Sequence, residues 1–102
     1  MRNLKLEVYL GCGHVKNVGL VKLNIIINGE EKSTCQLTTA WGKKETDNYK
    51  MLFEKIMMRI CHIVNTTDDK EFALDWIQDT LNGSGISHEA ISTIIEEIST
   101  MY

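Results

Sequence analysis

Three segments in the first half of the chain alternate apolar and polar residues, and three segments in the second half carry apolar residues at helical spacing. The alternating segments are 4–10, 20–27 and 33–41, and the helical ones are 47–64, 68–81 and 87–101. A period of two is typical of half-buried antiparallel strands, and i, i+3, i+4 spacing is typical of amphipathic helices. We therefore predict an α+β fold, with a three-stranded antiparallel β-meander followed by three helices packed on one face.

Three sets of apolar residues define the buried face of the predicted sheet. They are Leu4, Leu6, Val8 and Leu10; Val21, Leu23, Ile25 and Ile27; and Cys35, Leu37 and Trp41. Asn28-Gly29 between the second and third strands is a strong hairpin signal. A two-residue loop would place polar residues opposite apolar ones, so we predict a three-residue turn with a positive φ at Gly29. This register places Val21 opposite Cys35 or Leu37.

Polar residues at the predicted helix starts have the chemistry of N-caps. The expected caps are Thr46 or Asp47, then Asp68 with Glu71 three residues on, then Ser87. The predicted buried stripes are Tyr49, Leu52, Phe53, Ile56, Ile60, Ile63 and Val64; Phe72, Ala73, Trp76, Ile77 and Leu81; and Ile91, Ile94, Ile95 and Ile98. Several apolar residues lie off these patterns: Ile26, Met51, Met57, Met58, Met101 and Tyr102. They form either an adaptable exposed surface or partly buried contacts, as in a homo-oligomer.

Length and composition indicate one domain, residues 1–102, with 43% hydrophobic residues to form a core. The three cysteines have no paired spacing, and proline is absent. Lys5 and Glu7 interrupt the apolar start of the chain, so a signal segment is not expected. No apolar run approaches the roughly 20 residues of a membrane helix. We therefore predict a cytoplasmic protein with reduced thiols and no membrane partner.

Charge is divided unevenly between the two halves of the chain. Residues 1–51 hold eight Lys/Arg and five Asp/Glu, whereas residues 52–102 hold three Lys/Arg and nine Asp/Glu. The predicted partner-binding residues are the carboxylates of the second and third helices: Asp68, Glu71, Asp75, Asp79, Glu96 and Glu97. Such a surface attracts a basic protein, including one that handles nucleic acid. A solvated helix face explains the same pattern.

The polar face of the predicted sheet offers a second candidate surface. An alternative set of nucleic-acid-binding residues is Lys5, Tyr9, Lys22, Lys43 and Lys44. Basic and aromatic residues on an open sheet can hold single-stranded nucleic acid, although Tyr9 is the one aromatic residue expected there. An ordinary solvated sheet face is the competing interpretation.

Groups with catalytic or metal-binding chemistry are few. Cys12 and His14 lie in a glycine-rich loop, and Cys61 and His62 are adjacent in a predicted helix, where neighbouring side chains diverge. Phosphate-binding glycine loops lead into a helix, whereas here Gly11 and Gly13 lead into a strand. We therefore predict no catalytic residue, no metal site and no cofactor.

The order strand–strand–strand–helix over residues 4–64 resembles the first half of an RNase H-like fold. That family holds metal ions with a carboxylate in its first strand, where this chain has Tyr9, Leu10 and Gly11. The resemblance covers element order and does not imply nuclease activity. We predict a non-catalytic interaction protein, an inhibitor or accessory factor, and abundant Ile, Lys and Asn suggest a phage or mobile-element origin. The alternatives are a nucleic-acid-binding module and a small structural subunit of a larger assembly.

Overall fold

The computed structural model describes residues 2–12 and 16–102, and it describes only the backbone of Cys12. The strands are β1 (Leu4–Cys12), β2 (Val18–Ile27) and β3 (Glu30–Trp41), and the helices are α1 (Lys43–Thr66), α2 (Lys70–Leu81) and α3 (His88–Ser99). The strands pair antiparallel in the order β1-β2-β3. The predicted α+β order of elements is therefore confirmed, with each strand longer than expected and α1 beginning four residues earlier.

The helices cover the sheet face that alternation predicted to be apolar. On β1 and β2, Leu6 pairs with Ile25 and Val8 pairs with Leu23, so their apolar side chains share one face. Helix α1 lies across all three strands, α3 packs on β3, and α2 packs on α1 and α3. The largest fully buried side chains come from both layers: Val21, Leu23, Ile25, Leu37, Phe53, Met57, Ile60, Val64, Ile77, Leu81, Ile94 and Ile98.

The hairpin between β2 and β3 corrects the predicted turn. Ile27 pairs with Glu30, so the loop has two residues, and both Asn28 and Gly29 have positive φ, 52° and 84°. This is the geometry of a type I′ turn, whose twist matches that of the strands. The expected positive φ at Gly29 is confirmed, but the three-residue turn is wrong. The apolar register is instead restored by a bulge at Lys32, beyond which Leu23 pairs with Cys35.

A second bulge changes the orientation of the end of β3. Lys22 pairs with Gln36 and Val21 pairs with Thr38, so Leu37 is an additional residue on β3 and Val21 faces neither predicted partner. Because the bulge reverses the alternation, Ala40 is buried whereas Trp41 is 65% exposed. The prediction that Trp41 lies in the core is therefore wrong. Trp41 lies on the uncovered face of the sheet.

The helix starts follow the capping rules with shifted positions. Gly42 is the N-cap of α1, and Thr46 is a buried residue of its first turn whose Oγ1 donates to the Gly42 carbonyl at 2.8 Å. The Asp69 side chain, not Asp68, caps α2 by accepting from the Phe72 amide at 3.1 Å. The predictions of Thr46 or Asp47 and of Asp68 as caps are thus wrong. Ser87 caps α3 through the Ala90 amide, as expected.

The buried helix stripes are narrower than the sequence pattern suggested. Leu52 and Phe72 were expected in the core and are instead 45% and 52% exposed. Met57, which the pattern left unassigned, is a fully buried residue of α1 in the hydrophobic core. Met51 and Met58 are exposed, whereas Met101 and Tyr102 pack partly against the core.

Helix residues occupy part of each sheet edge. Along β1, Asn65 accepts from the Leu4 amide at 2.8 Å and donates to the Leu4 carbonyl at 3.1 Å. Along β3, the Ser87 amide donates to the Leu37 carbonyl at 2.8 Å. Unpaired backbone groups at an edge are a template for aggregation, so these contacts protect both edges over part of their length.

Candidate functional site

The outer side of α2 carries three carboxylates spaced one turn apart: Glu71, Asp75 and Asp79. All three are exposed, and none forms an ion pair with a lysine or arginine in residues 2–12 or 16–102. The α2 residues that reach the core lie on the opposite side of the helix: Ala73, Ile77 and Leu81. The arrangement is an outward stripe of unneutralised negative charge.

Phe72 belongs to this stripe, which the sequence pattern did not indicate. At 100° per residue, Phe72 lies about 20° from Asp79 and about 140° from the buried Ile77. An exposed aromatic ring beside carboxylates combines an apolar anchor with an electrostatic field, and aromatic residues are enriched among interface hot spots. We call Glu71, Phe72, Asp75 and Asp79 the acidic helix face. The angular offset of Phe72 from Ile77 was the signal available in the sequence.

The other predicted acidic residues are distributed differently. Asp68 is exposed but binds the Arg2 guanidinium at 2.7 Å, and this hydrogen bond raises the pKa of Arg2. The Arg2 guanidinium also lies 4.4 Å from the ring centre of Tyr102, so Arg2 contacts both Asp68 and Tyr102. Glu96 is exposed on α3, and its neighbour Glu97 is half-buried. Adjacent helical residues diverge by about 100°, so these two do not extend one stripe.

The sheet face turned away from the helices forms the second surface, which we call the open sheet face. Its members from β1, β2 and β3 are Lys5, Glu7, Tyr9, Gly11, Val18, Leu20, Lys22, Asn24, Ile26, Glu31, Thr34, Gln36, Thr39 and Trp41. Tyr9, Lys22 and Gln36 form one row across the three strands. Trp41 pairs with Val18 at the end of the sheet. The surface thus carries two exposed aromatic residues, where the sequence pattern indicated Tyr9 alone.

The remaining predicted basic residues differ in their availability. Lys43 forms an ion pair with Asp47 at 2.8 Å, and this hydrogen bond raises the pKa of Lys43. Lys44 is exposed and lies three residues after Trp41. Lys5 is exposed at the far end of the open sheet face, opposite Ile26.

The cysteines offer little reactive chemistry in the part of the chain that the structure describes. Burial raises the pKa of the Cys61 thiol, an effect that the Leu6 amide partly offsets, and burial also raises the pKa of Cys35. A thiol with a raised pKa is a weak nucleophile at neutral pH. The side chain of Cys12 and all of His14 lie outside the described residues. Among the residues described, no group of three or more His, Cys, Asp or Glu side chains is placed to hold a metal ion.

A concavity of about 400 Å³ lies between the first turn of α1, the end of β1 and the start of β2. Its lining includes Gly19, Gly42 and Thr46, and its charged groups among the described residues are Lys43 and Asp47. These two groups pair with each other, so they do not form a separated acid and base. No helix in the described part of the chain is long and apolar enough to cross a membrane.

Comparison of the chain with protein-family models, curated proteins and solved structures finds no match.

Proposed function

We propose that this protein is a non-catalytic interaction protein, an inhibitor or accessory factor, that engages a basic protein partner through the acidic helix face. The observation that supports the proposal is the grouping of Glu71, Asp75 and Asp79 with the exposed Phe72 on the side of α2 that faces away from the core. A basic surface or helix with an apolar pocket is the complement of this arrangement.

The distribution of charge favours such a partner. Residues 68–102 contain eight Asp/Glu and one lysine, a formal balance of −7, whereas residues 1–67 have a balance of +4. A field of one sign steers an oppositely charged partner and raises the association rate. The three carboxylates span about 12 Å along the helix at 1.5 Å per residue. A partner helix with Lys or Arg at i, i+4 spacing presents charges at the same interval.

An apolar anchor supplies what charge alone does not. Exposed ion pairs contribute little affinity, with a median of about 0–1 kcal/mol each. Burial of an aromatic side chain in a partner's pocket contributes more and slows dissociation. Phe72 is 52% exposed although it stands on a helix that buries Ala73 and Ile77 completely. Within this proposal the carboxylates orient the partner, and Phe72 holds it.

The cellular setting is part of the same proposal. Cys35 and Cys61 are free thiols, which fits a reducing cytoplasm. A small inhibitor or accessory factor of phage or mobile-element origin would act there on a basic, nucleic-acid-handling protein.

The test is affinity capture from the source cell with matched charge variants. The experimental variant is Asp75→Lys with Asp79→Lys, and the control is Glu45→Lys with Glu89→Lys, which changes net charge equally at exposed positions outside both surfaces. A third variant, Phe72→Ala, tests the anchor. Candidate partners are identified by mass spectrometry, and binding is then measured with purified proteins as a function of salt.

The expected result is a basic partner that binds the wild type and the control but is lost in the Asp75/Asp79 variant. Phe72→Ala should weaken binding by at least about tenfold, mainly through faster dissociation. Equal loss of binding in both charge variants would show that net charge, and not the acidic helix face, determines binding, and it would overturn the proposal. Equal retention in both, or a partner without basic character, would overturn the proposal.

A further inference from the structure

We propose that the open sheet face binds single-stranded nucleic acid, with Tyr9 and Trp41 stacking on bases and Lys22 contacting a phosphate between them. This surface is distinct from the acidic helix face, and the inference does not depend on the proposed protein partner. It rests on the strand register, the β3 bulge, the exposure of the two rings and the course of Lys22.

The register places the two aromatic residues on the same face. Tyr9 pairs with Lys22, and Trp41 pairs with Val18, two cross-strand rows of this face away, at the start of β2. The bulge at Leu37 turns Trp41 to this face, because regular alternation would have directed it towards α1. Trp41 is 65% exposed and Tyr9 is 37% exposed. With strands about 4.8 Å apart, the rings lie on a diagonal across the sheet with room for bases between them.

Lys22 lies beside Tyr9 on the neighbouring strand. A Cβ added at Gly11 would lie 2.9 Å from Lys22 Cδ, so the Lys22 stem occupies the space that a side chain at position 11 would fill. Gly11 pairs with Leu20, one row closer to Trp41 than the row of Tyr9 and Lys22. The stem therefore leans from β2 over β1, beside Tyr9, and towards the end of the sheet at which Trp41 lies. Lys22 forms no ion pair with an acidic residue of the described ranges 2–12 and 16–102.

A lysine lies near each ring, and the acidic residues of the open sheet face lie on the side of Tyr9 away from Trp41. Glu7 pairs with Asn24 in the cross-strand row next to Tyr9, on the side away from Trp41. Asn24 in turn donates a hydrogen bond to the Glu31 carboxylate at 3.1 Å. At the Trp41 end, Lys16 and Lys44 are exposed. The arrangement is aromatic, cationic, aromatic, with cations continuing beyond Trp41. Stacking residues flanked by lysines are the common means of binding single strands without sequence preference.

A single strand fits this surface better than a duplex does. In a duplex the bases stack on one another and present only their edges, so exposed rings gain no stacking partner. An unpaired strand offers free base faces to Trp41 and Tyr9.

The test is fluorescence anisotropy of labelled oligothymidine, oligouridine and a duplex DNA of equal length at low salt. Intrinsic fluorescence gives a second readout, because Trp76→Phe leaves Trp41 as the one tryptophan, and stacking on a base quenches it. The variants are Trp41→Ala, Trp41→Phe, Tyr9→Ala and Lys22→Ala. The matched control is Phe72→Ala, which removes an exposed aromatic residue from the acidic helix face.

Single strands should bind more tightly than the duplex and quench Trp41. Trp41→Ala should weaken binding about tenfold, Trp41→Phe should restore part of the loss, and Phe72→Ala should leave binding unchanged. Lys22→Ala should lower the slope of log K against log salt by about 0.7, the value for one phosphate contact with a single strand. No anisotropy change at high micromolar protein, a preference for duplex, or equal affinity of Trp41→Ala and the wild type would overturn the proposal. A stable dimer that buries Trp41 would also overturn it.

Discussion

Replacement of Gly19 by alanine is expected to destabilise the protein, although a glycine in a strand is ordinarily a weak point. Gly19 lies on the helix side of β2, opposite the buried Ala40. A methyl group at position 19 would meet Thr46 Oγ1 and would lie 2.7 Å from Thr46 Cγ2. Two small residues in adjacent strands thus allow the first turn of α1 to approach the sheet closely.

The magnitude follows from two opposed effects. Overpacking in a core costs about 1–3 kcal/mol, and Thr46 has little freedom to move because it is 6% exposed and its Oγ1 donates to the Gly42 carbonyl. Replacing glycine by alanine lowers the entropy of the unfolded chain, which stabilises the fold by about 0.4–1 kcal/mol. The net expectation is a loss of about 1.3 kcal/mol in the free energy of unfolding, the difference between the midpoints of these two ranges.

Urea denaturation followed by circular dichroism measures this loss, and Gly11→Ala is the matched control. At position 11 the added methyl group meets Lys22 Cδ at 2.9 Å, and this flexible side chain can move aside. Gly11→Ala should therefore leave stability unchanged or raise it slightly. Thr46→Ala removes the two closest atoms and leaves Thr46 Cβ at 3.0 Å from the added carbon, so Gly19→Ala should cost less in that background. A neutral Gly19→Ala, or an equal cost in both backgrounds, would refute the reasoning.

Two further predictions concern the β2–β3 turn and the cysteines. Gly29→Ala should lower the free energy of unfolding by about 1 kcal/mol in urea titrations, because φ at this position is 84°. The added methyl group meets nothing within 4 Å, so the loss would come from the backbone conformation alone. Unchanged stability would contradict the type I′ turn. Burial raises the pKa of the Cys61 thiol above its ordinary 9.0, so the unfolded chain loses its proton first as pH rises. The free energy of unfolding should therefore fall above pH 9.0, and less steeply in Cys61→Ala; identical pH profiles would contradict this.

The alternation of apolar residues was sufficient to predict the paired faces of β1 and β2. Leu6 with Ile25 and Val8 with Leu23 stand as the period of two requires. The two bulges were beyond such reasoning, because a bulge adds one residue locally and leaves the composition of the strand unchanged. The buried residues Leu37 and Ala40 are three positions apart, an odd interval that no regular strand gives to one face. The sequence itself offered the even interval between Leu37 and Trp41, and alternation therefore placed both on the buried face.

The helix on the outside of the domain was the least predictable element. Helix α2 packs on α1 and α3, and its side remote from them has no neighbour among the described residues. It therefore buries a narrow strip, and Phe72 falls outside that strip although its residue type suggests burial. The position of a helix in the fold determines how wide its buried stripe is, whereas the spacing of apolar residues in the sequence predicts only the centre of that stripe.

The two candidate surfaces impose opposite electrostatic requirements, and their separation resolves the conflict. Carboxylates that attract a basic partner to α2 repel a phosphate backbone, and that repulsion weakens with distance and with salt. Residues 68–102 hold the excess of negative charge, whereas the excess of positive charge lies on α1, Arg2 and Lys16, since the strands contain three Lys and three Glu. Each ligand is thus attracted by one part of the chain and repelled by the other. Asp75→Lys with Asp79→Lys removes the attraction for a basic protein and part of the repulsion of nucleic acid, so one variant should weaken the first interaction and strengthen the second.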